Sequence, residues 1–319
     1  MRRIEYRLLG MRVLASVMLL GAARFAAATE PAPRAKPPEW SQDVLDAFFD
    51  DARQKLDGVR PDYERLERQN DTTAMSAALD REAGTTADFA WSQLVDAETI
   101  ETEVKRLADS VAKAVAAVGQ FKADGYKLCR RDFSELAVLF GVAGQYDGQV
   151  RWQDVAPGLR DQFARAGRNA KVGTDQTYQE ASQRKQDLDD LIRGARPQID
   201  PADKAPGLGH VAELSPLMQR LNQAELERLK PWLADERQFQ RHRGDVRHEA
   251  QIVAMLAEVI GRDGFDYWDE EEYAGYRLEL RRSAAELAAA AAADNYEQAR
   301  AANVRMTKAC TDCHADYRG

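Results

Sequence analysis

The chain has 319 residues, of which 44% are hydrophobic, 31% charged and 8% aromatic, and its formal net charge is −8. That balance excludes an intrinsically disordered chain. It also argues against a nucleic-acid partner, because binding a polyanion requires a basic footprint.

In chain order, the first feature is a leader. Arg2, Arg3, Arg7 and Arg12 precede an apolar run over 13–23, which Arg24 cuts short, and Ala26-Ala27-Ala28 follows. A basic start, a short apolar segment and an Ala-x-Ala ending predict a secretory signal peptide over 1–28, with an uncleaved anchor as the alternative. The mature chain would carry 40 Lys+Arg against 52 Asp+Glu. The expected location is therefore periplasmic or secreted, with no membrane association after cleavage, and cationic surfaces on other proteins suit such a chain as partners.

Residues 29–39 form a Pro-rich spacer. Val44, Leu45, Phe48, Phe49 and Ala52 then recur at helical spacing and predict a helix over 40–56. The polar stretch 69–88 reads as a loop. From Ala97 onward the pattern is helical: Leu107, Val111, Val115 and Val118 make one stripe, and Phe133, Leu136, Leu139, Phe140 and Ala143 make another. No alternating Val/Ile/Thr run bounded by turns is present, so no sheet is expected.

Two stretches of the chain match each other. Residues 134–152 lie over 250–268 at a constant offset of 116, with Asp147-Gly148 on Asp263-Gly264 and Trp152 on Trp268. Further on, YQEAS (178–182) matches YEQAR (296–300) at an offset of 118. The Pro- and Gly-rich segment 195–212 separates the copies as a linker. The expected organisation is a helical domain over 40–194 and a second over 213–319. The second copy divides into helical segments 213–233, 236–262, 270–292 and 296–317, with an N-cap at Asp294-Asn295. Antiparallel neighbours with single apolar faces pack as a four-helix bundle, so the fold class expected is all-α, as two tandem four-helix bundles.

One motif carries chemistry. Cys310-Thr311-Asp312-Cys313-His314 is C-x-x-C-H, the attachment sequence of c-type haem. On a helix, positions i, i+3 and i+4 share a face, so two sulfurs and an imidazole can meet one porphyrin edge. The thiols add to the vinyl groups and the imidazole takes the iron's proximal position. With three Cys and four His in the chain, chance predicts the pattern only about 4 times in 10,000. An exported chain agrees with it, since haem is attached to such motifs outside the cytoplasm. A thioredoxin-like redox pair would open a helix after a strand, and a structural zinc site would need more ligands. A Cys310–Cys313 disulfide remains an alternative if no haem is loaded.

The tail VRMTKACTDCHADYRG resembles the end of a class II c-type cytochrome, the cytochrome c′ and cytochrome c556 family, in which the motif lies on the last helix of a four-helix bundle. The resemblance covers roughly the last hundred residues. It implies one covalent haem c held by Cys310 and Cys313, His314 as proximal ligand, and Arg318 as a basic residue near the haem. The segment SPLMQRLNQAEL matches the family's first bundle helix, which makes Met218 the candidate sixth ligand. A Met/His pair would raise the potential and close the site to gases; an open position would bind NO or CO. His248, on the stripe of Ile252, Met255 and Val259, reads first as a core or haem-edge histidine and second as a ligand. Met306, one turn before Cys310, is expected beside the porphyrin. In the first copy the positions of Cys310, Cys313 and His314 fall on Ile192, Ala195 and Arg196, so that copy is expected to hold no haem by this route. The unpaired Cys129 reads as a small buried thiol. The expected function is electron transfer by a non-enzymatic mono-haem cytochrome with a redox partner protein. A gas-binding module is the alternative and a scaffold with a structural haem is third. A homodimer paired through first helices is a further implication of the resemblance.

Overall fold

The computed structural model describes residues 89–197, 199 and 207–318. The leader, the spacer, the 40–56 helix, the 69–88 loop and the middle of the linker lie outside the described residues. Those described belong to a single compact unit. They are helical, with no strand among them.

Helix α1 (Ala97–Ala114) buries Ile100, Val104, Leu107 and Val111, the i, i+4, i+7, i+11 face of a helix. The apolar stripe read from the sequence continues past its end. Val115 is the C-cap and Val118, 40% exposed, begins a separate turn. The stop is set from a distance: the Tyr178 hydroxyl donates to the Val115 carbonyl at 3.3 Å, satisfying a group that a helix end leaves open. A π-type segment (Phe121–Gly125) leads into α2 (Tyr126–Ala143), which is buried along nearly its whole second half. Helix α3 (Ala156–Asn169) follows, then α4 (Asp175–Arg193), which starts in a Thr174/Thr177 capping box and ends at Gly194, with φ of 84°.

The second half begins with a turn at Leu208–His210 and then α5 (Leu214–Gln223). Helix α5 continues through a π-type segment (Ala224–Leu229) and a last turn, Lys230–Trp232. Asp235 caps α6 (Glu236–Val259) by accepting from the Gln238 N–H at 2.8 Å. Helix α7 (Glu271–Ala292) precedes α8 (Tyr296–Tyr317), whose N-cap is Asn295, as its side-chain chemistry predicts.

Some local contacts recur in the two halves. Tyr178 packs edge-on against Phe121 (centroids 5.4 Å apart) and caps the end of α1; Tyr296 packs against Phe239 (5.7 Å) and donates to the Leu233 carbonyl at 3.3 Å. The landmark tryptophans do not correspond. In the matched turns the left-handed residue is Trp152 (φ 67°) in the first half but Tyr267 (φ 63°) in the second. Trp152 packs on Phe140, whereas Trp268 is 43% exposed. Of the two Asp-Gly turns, only Gly264 takes a positive φ (104°); the Asp147 carboxylate instead accepts from the Ser92 N–H and hydroxyl.

One set of buried side chains runs from Phe89 to Ala309 through both halves. Helix α5 packs on α2 and α6 on α1. The described end of the linker joins this core, with Leu208 packed where α2 bares Gly141.

Candidate functional site

Helix α8 lies on the core through Ala299, Ala302, Met306 and Ala309. This spacing fixes its rotation, and the continuation of the same face through its last turns carries Cys310, Cys313 and His314 to a cavity. The cavity is walled by α5, α7 and α8 and has two lobes. The inner one has a volume of about 100 Å³ and is lined by Met218, Leu221, Ile260, Leu280 and Ala309, with Cys310, Cys313 and His314 among its polar members. The outer one, about 470 Å³, opens to solvent past Ser215, Tyr317 and Arg318. Met218, Asn222, Tyr273, Cys313 and His314 line both. The outer lobe falls within the usual range for ligand pockets, roughly 300–1,000 Å³.

The structure thus brings the five singled-out residues, Met218, Cys310, Cys313, His314 and Arg318, to one cavity, although 92 residues or more separate Met218 from the motif. Arg318 is the exposed C-cap of α8 at the outer lobe. Met306 is not where the sequence suggested: it is 1% exposed, in the core beneath α8, and part of neither lobe. One turn back from Cys310 it shares the motif's face, but at that level of α8 the face is covered by the core and the cavity begins only beyond it.

No disulfide joins Cys310 to Cys313. Burial pushes Cys310 up to about 12, with Glu225 and Cys313 adding to the effect, and burial also raises Cys313. A thioredoxin-type pair needs the opposite shift, produced by a helix N-terminus. Here the motif occupies the last turns of a 22-residue helix, whose end disfavours a thiolate. Among the described residues no group of three or more His, Cys, Asp or Glu side chains is arranged to hold a metal ion, which leaves a zinc site without support. Cys129 is fully buried, with burial raising its thiol to about 12.

Sequence reasoning missed the aromatic wall. Tyr317 is central, with ring centroids 5.0 Å from Tyr267, 5.4 Å from Tyr273 and 6.5 Å from Tyr276. Tyr317 donates to Glu270 and Tyr276 to Asp316. Tyr273 is 3% exposed, lines both lobes, and its hydroxyl has no hydrogen-bond partner among the described residues. A buried hydroxyl without a partner is costly and marks where an acceptor belongs. No spacing rule picks out these tyrosines, because they meet only through the packing of α7 on α8.

The remaining histidines stand elsewhere. His248 Nε2 is 2.7 Å from a Glu103 oxygen and lines neither lobe. His242 stacks on Trp232, and His210 lies against Gly264. In the first half, Arg196 pairs with Asp154 at 2.6 Å, and Trp152 and Arg151 donate to the carbonyls of Leu191 and Ile192. The end of α4 is closed off by these bonds and presents neither thiol nor imidazole. Comparison with protein-family models, curated proteins and solved structures finds no match to this chain.

Proposed function

We propose that the chain is an exported mono-haem c-type cytochrome of the class II kind, whose second half holds one haem c and transfers electrons to a partner protein. The observation that carries this reading is that the C-x-x-C-H face opens on a largely apolar cavity walled on α5 by Met218. The residues fit the group. Two thiols and an imidazole share one helical face, the walls of the inner lobe are largely apolar, and the buried Tyr273 hydroxyl lacks an acceptor among the described residues. When bound, haem c supplies a one-electron iron couple whose potential depends on its axial ligands and its burial.

The chain's own residues divide the work. Cys310 and Cys313 would form the thioether tethers and His314 would offer its ring nitrogen to the iron. Met218 would offer its thioether sulfur from α5, and Leu221, Ile260 and Leu280 lower the polarity around the site. Arg277, the cation on this wall, is held by Glu258 at 3.2 Å and is not poised as a distal cation of the kind peroxidase chemistry uses; the reading is a carrier, not an enzyme. The recurring Tyr–Phe pairs support two tandem copies of one four-helix unit, the first without haem. Among the described residues no helix is long and apolar enough to cross a membrane; export to the periplasm rests on the 1–28 leader. The solvent-open outer lobe favours one second reading, in which Met218 leaves the iron open and the site takes NO or CO.

Absorption spectra of the purified, haem-loaded protein, oxidised and reduced, with and without CO, decide between them. The first reading predicts a low-spin spectrum indifferent to CO, which becomes high-spin and CO-sensitive in Met218→Ala. A wild-type spectrum that is already high-spin and shifts with CO establishes the second. A low-spin spectrum unchanged in the variant removes Met218 as the ligand.

A further inference from the structure

Met218 and Arg220 stand two residues apart on α5, about 200° apart round the helix. One lines the cavity; the other, 1% exposed, faces away from it into the core. There the Arg220 guanidinium meets three carboxylates. Its Nε donates to both oxygens of Glu135 at 2.8 Å, its Nη2 to Glu103 at 3.1 Å, and its Nη1 to Glu249. The second Glu249 oxygen accepts from Arg228 Nη1 at 2.6 Å, and His248 stands against the second Glu103 oxygen. Glu103 lies on α1 and Glu135 on α2, so two of the three carboxylates come from the half that lacks the motif. The same half holds the start of α5: Glu213, its N-cap position, is paired with Arg130 of α2 and with Lys171.

Such external support matters for this helix. It is ten residues long, its N-cap makes no side-chain bond, and its ladder passes into a π-type segment. A helix this short has little stability of its own, and its place is set by what it packs on. A buried ion network adds little net stability, but it fixes register, since any slip leaves charges unpaired.

We infer that Arg220 is a positioning residue through which the first half sets where the α5 wall, Met218 included, stands against Cys310, Cys313 and His314. The motif-less half thereby acts as a built-in partner that braces the cavity from behind. The spectroscopic consequence rests on the haem reading; the structural one does not.

The test uses the full chain carrying Arg220→Lys, which keeps the charge but cannot fork to three carboxylates. Glu135→Ala, which removes only the α2 contact, serves as a second variant and decides the matter if the first does not fold. Phe163→Leu, in the first half's core, is the control for general loosening. Two quantities are read: the rate at which a maleimide labels Cys310 and Cys313 in chain made without haem attachment, and the spin state of the loaded protein. The expected result is labelling faster by roughly fivefold or more in both network variants but not in the control, together with growth of a high-spin, CO-sensitive fraction. Wild-type labelling rates and spectrum in variants whose melting temperature has fallen would show a merely structural role and overturn the proposal. So would an equal response in Phe163→Leu. If the wild-type chain carries no haem, the functional reading fails while the labelling rates still decide this inference.

Discussion

At the scale of single residues, Tyr273 and the two motif thiols define the site. A phenol 3% exposed with no partner for its hydroxyl among the described residues loses the hydration it had in the unfolded chain, a cost on the order of 1–3 kcal/mol. In chain without haem, Tyr273→Phe is therefore expected to raise stability by about 1 kcal/mol, read from chemical denaturation. If the bound group supplies that hydroxyl with an acceptor, the same change is expected to lower the stability of the loaded protein. Shifts of one sign in both forms would show that Tyr273 makes no bond to the bound group. The motif itself was legible because C-x-x-C-H needs no tertiary information. Tyr273 was not legible: a tyrosine three residues into α7 on a sequence crowded with acids looks solvated until α8 packs over it.

At the scale of elements, the Arg220 network makes a pH-dependent joint between α1, α2, α5 and α6. Burial pushes Glu135 up to about 8, with Glu103, Glu249 and Asp132 adding to it against the pull of Arg220. Glu249 is lowered: burial opposes its ionisation, but Arg220 and Arg228 outweigh it. Glu103 is lowered as well, burial being outweighed by His248 and Arg220. The folded state thus holds a proton on Glu135 that the unfolded chain releases near 4.5. Its contribution is complete below that value and declines as pH rises to about 8, by at most ~1.4 kcal/mol per pH unit. Urea midpoints at pH 5, 6, 7 and 8 are expected to fall less steeply in Glu135→Gln than in the wild type; parallel declines would contradict the assignment. Glu103 and Glu249 act oppositely, their contribution being lost as pH falls below their unfolded values. None of this was readable in sequence, where four charges on separate amphipathic helices pass for solvated faces. Helix α8, with its Asn295 cap, was readable to the residue. The end of α1 was not, because Tyr178, 63 residues away, makes the stop while the apolar spacing runs on.

At the scale of the whole molecule, the all-helical class was legible, because apolar periodicity survives in the string. The shared core was not: helices that face another half and helices that face their own neighbours carry the same apolar stripes. The pairing of Trp152 with Trp268 marks where letter-by-letter correspondence fails, since the left-handed turn falls one residue earlier in the second half. The functional account depends on one covalent event at one end of this molecule. Mass spectrometry of the intact exported protein and of its proteolytic peptides tests it most directly. The account predicts the added mass of one haem on the peptide containing Cys310 and Cys313, and none on any peptide from residues 89–197. Both sulfurs found free, or joined to each other, with no macrocycle on the chain would contradict it.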